Sequence, residues 1–132
     1  MKNIYLFEDY LRENGALSSE EMDRLYEEMA GEIGQDEDAL ELYGQLLETA
    51  IRYANFRAKW CLMTREEKLD ADGSRTSCHN SVITKINMLS RYLRMQGKSA
   101  AWRDVLGDES VNRKRIGDFA CYLVFVSAVN AR

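Results

Sequence analysis

The chain has 132 residues, 45% apolar and 30% charged, with no proline, which suits one soluble, helix-rich domain large enough to bury a core. Its net charge of −4 is unevenly divided: residues 1–50 carry fourteen acids and three bases (−11), residues 51–132 eight acids and fifteen bases (+7). Three cysteines without a CxxC spacing argue against a disulfide framework. No run reaches the roughly 18 apolar residues of a membrane helix, and Glu8-Asp9 close the first apolar run too early for a secretory signal, so the expected compartment is the cytoplasm.

In chain order, a first helix is predicted from Asn3 to Asn14, with Ile4, Phe7 and Leu11 as its stripe and Asn14-Gly15 as its stop. A second opens at Ser18, whose spacing to Glu21 makes a capping box. Met22, Leu25, Tyr26, Met29 and Ile33 form its apolar face, Glu20, Glu21, Asp23, Glu27, Glu28 and Glu32 cover the rest, and Gly34 ends it. The plain reading of those acids is a solvated face; the sharper one is a contact surface for something basic.

A third helix, from Asp36 to about Met63, would be roughly 40 Å long. Its polar stripe (Glu41, Gln45, Glu48, Arg52, Asn55, Lys59) is narrow, and two apolar seams flank it, which predicts cover on both sides and a central place in a bundle. Thr64 with Glu67 repeats the capping-box spacing, so the chain restarts or kinks there, and Asp70-Ala71-Asp72-Gly73 loosens or breaks the new helix. The next stripe is Arg75, His79, Val82, Ile86, Leu89, Leu93, ending at Gly97. Ser99 is the expected cap of a short helix through Trp102 and Leu106, closed by Gly107. The segment from about Ser110 to Ala131 is apolar enough over 116–126 to be a buried strand or a buried helix; with no partner strand elsewhere, helix is chosen.

His79, the single histidine, lies four residues after Arg75 on that stripe, so both are expected at the core or its rim, with Asp104, Asp118, Asp70 or Asp72 as candidate carboxylate partners. The expectation is a buried polar cluster of Arg75, His79, Asp104 and Asp118, with a ligand site as its functional alternative. Cys78 beside His79 points about 100° away and makes a poor dyad; a zinc site from Cys61, Cys78, His79 and Cys121 lacks local ligand spacing, and an EF-hand starting at Asp70 fails at Arg75 and Ser81. No phosphate-binding glycine loop, GxSxG or HExxH motif occurs.

A second set is basic. Arg113, Lys114 and Arg115 fall in the first turns of the last helix, the end of the dipole that prefers anions, so they require an acidic helix or a phosphate. Arg91, Arg94, Lys98 and Arg103 extend the basic surface around Tyr92 and Trp102, both placed as core edges. Residues 99–119 match a helix-turn-helix poorly, because Arg103 and Arg113 stand where small or apolar residues belong.

The segments Arg75–Asn80, Asn87–Tyr92, Trp102–Gly107 and Arg115–Cys121 resemble a group of short, uncharacterised proteins of Gram-positive, often gut, bacteria. The resemblance spans about 60–132. It implies a bacterial cytosolic protein and brings no activity and no catalytic residue.

The expectation is therefore an all-α single domain (1–132), five to six helices around a long central helix at about 37–63. Its expected role is that of a non-catalytic protein-interaction or regulatory module with no cofactor and no metal. Its partner is another protein, with a homodimer across one flank of the central helix as the competing arrangement. Nucleic-acid binding by Arg113, Lys114, Arg115, Arg91, Arg94 and Arg103 comes second, a DNA-mimicking inhibitor using the acidic half third, and an enzyme built on His79 last.

Overall fold

A computed structural model describes residues 17–107 and 113–130, the side chains of Arg113 and Lys114 excepted. The described residues form five helices and no strand: α1 (Ser19–Ile33), α2 (Glu37–Cys61), α3 (Arg65–Met95), α4 (Ala101–Leu106) and α5 (Arg113–Asn130). The predicted helix at 3–14 lies outside the described residues.

The starts of the first three helices follow from local chemistry. At α1 the Ser18 hydroxyl accepts from the Glu21 N–H at 3.2 Å, and the Glu21 carboxylate accepts from the Ser18 N–H at 3.4 Å. At α2 one Asp36 oxygen accepts from the N–H groups of Asp38 and Ala39 at 3.0 and 3.1 Å. Thr64 and Glu67 form the second reciprocal box, at 3.2 and 2.9 Å, and start α3. Between α1 and α2 the chain turns at Gly34, whose φ of 51° a side chain would resist.

Two predicted interruptions resolve differently. The break at Asp70–Gly73 does not occur: α3 is one helix of 31 residues. A single glycine costs about 1 kcal/mol in a helix, and the helical hydrogen bonds on either side carry across it. Nor is Ser99 the capping residue of α4, although its hydroxyl accepts from the Ala101 N–H at 3.4 Å. The capping position is Ala100, in the left-handed region at φ 49°. Its N–H is taken by the Glu32 carboxylate at 3.1 Å and its carbonyl by the Arg94 guanidinium at 3.2 Å, so a strained turn is clamped from both sides.

α2 lies between α3 and α5, the central place predicted for it, with α1 and α4 closing the structure. It buries Ala39, Leu46, Ala50 and Tyr53, while Leu40 and Ile51 stay exposed. Opposite it, α3 buries Val82, Ile83, Ile86, Leu89 and Leu93. Every residue from Ile116 to Ala120 on α5 is buried, which explains why no apolar period is visible there. Trp102 and Phe119 stack at 6.4 Å between ring centres in the fully buried core.

Burial stops partway along the α2–α3 pair. The last buried residue of α2 is Tyr53 and the first of α3 is His79. The end of α2 and the first half of α3 therefore form an arm of two helices extending beyond the core.

Candidate functional site

The predicted cluster of Arg75, His79, Asp104 and Asp118 does not assemble. His79 (6% exposed) and Asp118 (fully buried) are inside. Arg75 is on the surface of the arm, its guanidinium 4.9 Å from the centre of the Trp60 ring, and Asp104 lies 74% exposed on α4, paired with Arg94 at 3.0 Å. The reason is geometric: α3 overhangs the core, so the stripe through His79 loses its packing partner one turn earlier, at Arg75.

A different polar node forms where α2, α3 and α5 meet. Arg57 on α2 pairs with Asp118 on α5 at 3.4 Å and lies 5.6 Å from the centre of the Tyr53 ring. Tyr53 in turn meets His79 edge-on, ring centres 5.6 Å apart. Gly117 makes room for this: a Cβ there would collide with the Tyr53 hydroxyl and come within 3.1 Å of Arg57 Nη1. Sequence reasoning misses Arg57 and Gly117. The available signals are a cation inside an apolar seam and a glycine in the interior of a buried helix. Burial pushes the Cys121 thiol up, against the pull of Arg57, and burial likewise raises the Tyr53 phenol. Both are protonated at neutral pH, so neither is an activated nucleophile. The node joins α2 to α5 through the Arg57–Asp118 ion pair and α2 to α3 through the Tyr53–His79 ring contact.

Where described acids of the first half meet the second half, neutral donors meet them. Glu32 accepts from the Trp102 indole at 2.8 Å, the Ser99 hydroxyl at 3.3 Å and the Ala100 N–H. Both Asp36 oxygens take the Tyr92 hydroxyl, at 2.9 and 2.8 Å, and Asp23 takes that of Tyr122. The described ion pairs, Arg57–Asp118 and Arg94–Asp104, lie within the basic half. Glu20, Glu27 and Glu28 remain exposed. Among the three cations at the start of α5, Arg115 turns inward and donates to the Val105 carbonyl at 2.9 Å, so it is met by a backbone oxygen of α4 rather than by an acidic helix. The side chains of Arg113 and Lys114 lie outside those described.

Three of the other predicted cations do converge. Arg91, Arg94 and Arg103 line an open groove of about 730 Å³ between the C-terminal half of α3 and α4, with Asn87, Ser90 and Asp104. Arg103 is held by Asn87 Oδ1 at 2.9 Å and the Gly107 carbonyl at 2.6 Å, and Arg94 by the Ser99 and Ala100 carbonyls. Tyr92 is half-buried, a core edge as expected, whereas Trp102, also placed at the edge, is fully buried.

The arm carries Leu62, at the turn and 87% exposed, the most exposed large apolar side chain described, and Leu69, 73% exposed, on the second turn of α3; Met95, at the other end of α3, is 77% exposed. Trp60 beside the two leucines is half-buried under Lys68 and Arg75. Among the described residues no three histidines, cysteines or acids are grouped to hold a metal ion, and no helix is long and apolar enough to cross a membrane. Comparison of the chain with protein-family models, with curated proteins and with solved structures finds no match.

Proposed function

We propose that this protein is a non-catalytic interaction module that docks another protein through the tip of its α2–α3 arm. The observation that carries the reading is the pair of leucines, Leu62 and Leu69, held in water on a capped, helical projection. Each forgoes about 1.5–3 kcal/mol of burial, which a partner with an apolar pocket would return. The flanking charges balance: Lys59, Arg65, Lys68 and Arg75 against Glu66, Glu67, Asp70 and Asp72. A locally neutral tip on an acidic chain favours an apolar anchor ringed by short-range pairs over long-range steering.

The test is a photo-crosslinking amino acid at Leu69 in cells that make the protein, with the same group at Glu20 as control. A discrete heteromeric adduct at Leu69, lost on Leu62→Asp and absent from the control, is the expected result. Equal labelling at both positions overturns the reading, and an adduct of twice the chain's own mass replaces the foreign partner with a second copy.

A further inference from the structure

The arginine-lined groove is separate from the arm and answers to different chemistry. Three guanidinium groups, Arg91, Arg94 and Arg103, face one carboxylate, Asp104, in a concavity that also presents the amide of Asn87 and the hydroxyl of Ser90. Among the described residues that line it, guanidinium groups outnumber carboxylates. Two of the three guanidinium groups are already fixed by bonds to backbone carbonyls and to Asn87, so ordering them costs a ligand little. Planar, fixed guanidinium groups match the tetrahedral oxygens of phosphate better than any other side chain does.

We propose that this groove binds the phosphate groups of a small phosphorylated ligand of nucleotide size. Volume supports the size: about 730 Å³ falls within the range of small-molecule sites. Among the described residues, Arg115 on the neighbouring helix does not continue the line of cations that a strand would follow: it donates to the Val105 carbonyl. Asp104 sets the affinity: it sits 3.0 Å from Arg94 and competes with any incoming phosphate for that guanidinium.

The experiment is calorimetric titration of the full chain with inorganic pyrophosphate and with adenosine diphosphate at low salt, beside a single-stranded decanucleotide. Pyrophosphate and the nucleotide are expected to bind. Arg91→Ala, an exposed residue, is expected to weaken them about tenfold without lowering the melting temperature. Asp104→Asn is expected to tighten them about threefold, a gain that a merely structural role for the groove would not give. Arg52→Ala, on the outer face of α2, is expected to change nothing. No binding of either phosphate compound at millimolar concentration overturns the proposal, as does binding indifferent to both Arg91→Ala and Asp104→Asn. Binding of the decanucleotide alone, with a steep salt dependence, also overturns it and hands the groove to nucleic acid.

Discussion

The two halves of α3 are held by different physics. From Val82 to Leu93 the helix is an ordinary amphipathic one, and it exists because Val82, Ile83, Ile86, Leu89 and Leu93 are buried against α2 and α5. From Arg65 to Ser77 no residue is buried, and the sequence includes Asp70, Asp72, Gly73, Ser74 and Thr76, all mediocre or poor helix formers. That half stands on its capping box, on acids at its N-terminus, on the Trp60 ring under Lys68 and Arg75, and on continuity with the packed half. The contrast teaches that one helix can be core scaffold at one end and display surface at the other. The display end persists without a buried stripe because helix nucleation is done elsewhere.

Equivalent leucine deletions put the largest number on this contrast. Leu89→Ala removes a fully buried side chain and is expected to cost about 2–5 kcal/mol by chemical denaturation, whereas Leu69→Ala is expected to stay within about 0.5 kcal/mol. Similar costs at the two positions would mean that the arm is buried in solution, against another molecule or another part of the chain. Native-state hydrogen exchange should show the same divide, with amides at 65–77 opening far more readily than those at 82–93.

The next largest effect lies at the node that ends the packed region. Gly117→Ala forces a methyl group against the Tyr53 hydroxyl and Arg57, and is expected to destabilise by about 1–3 kcal/mol, partly relieved by Tyr53→Phe, which deletes the nearest atom. If the double variant is no better than the single, the obstruction is not the phenol oxygen.

Whether a feature of this fold is legible in the sequence depends on whether its signal is local. The capping boxes at Ser18 and Thr64, the Asp36 start and the Gly34 stop lie within four residues of what they control, and the structure has all of them where the sequence puts them. The stripe from Val82 to Leu93 is equally plain. The Arg75–His79 pairing fails because periodicity says which residues share a face but not how far along the helix the partner extends. Asp104 fails for the same reason, since its partner, Arg94, belongs to the preceding helix. The Arg57–Asp118 pair, 61 residues apart, joins a cation in an apolar seam to an acid in an apolar run, and nothing short of the fold connects them. The charge division is legible as a fact but not in its resolution. Asp23, Glu32 and Asp36 meet phenols, an indole and a backbone N–H group, which do not register in a count of charges.

A smaller change would sharpen the comparison instead of breaking it. Gly73 sits inside α3 with nothing within 4 Å of the place a Cβ would occupy, so Gly73→Ala adds helix propensity without a clash. It is expected to stabilise the arm by about 0.5–1 kcal/mol, visible as slower exchange at 65–77 with little change at 82–93. Equal slowing in both halves would show that the arm and the core unfold as one unit.

The last and smallest effect separates the two regions by pH. Tyr43 is pushed up to about 12 by burial, and Tyr92 to about 12 by its hydrogen bond to Asp36; both belong to the packed region, and the arm from 65 to 77 holds no tyrosine. A folded-state value raised above the ordinary 10 means the fold favours the protonated phenol. That stability is fully present below pH 10 and is lost as pH rises through 12. The two tryptophans sit one in each region, Trp60 on the arm and Trp102 in the core, so single-tryptophan variants report them separately. Alkaline titration should loosen the surroundings of Trp102 between pH 10 and about 12. Tyr92→Phe should shrink that pH dependence, because a phenylalanine has no proton to lose and Asp36 keeps its N–H donors from Asp38 and Ala39. A Trp60 signal that moves first, or a Tyr92→Phe variant with an unchanged alkaline limb, would place the titrating group outside the α2–α3 contact and remove Tyr92 from the account.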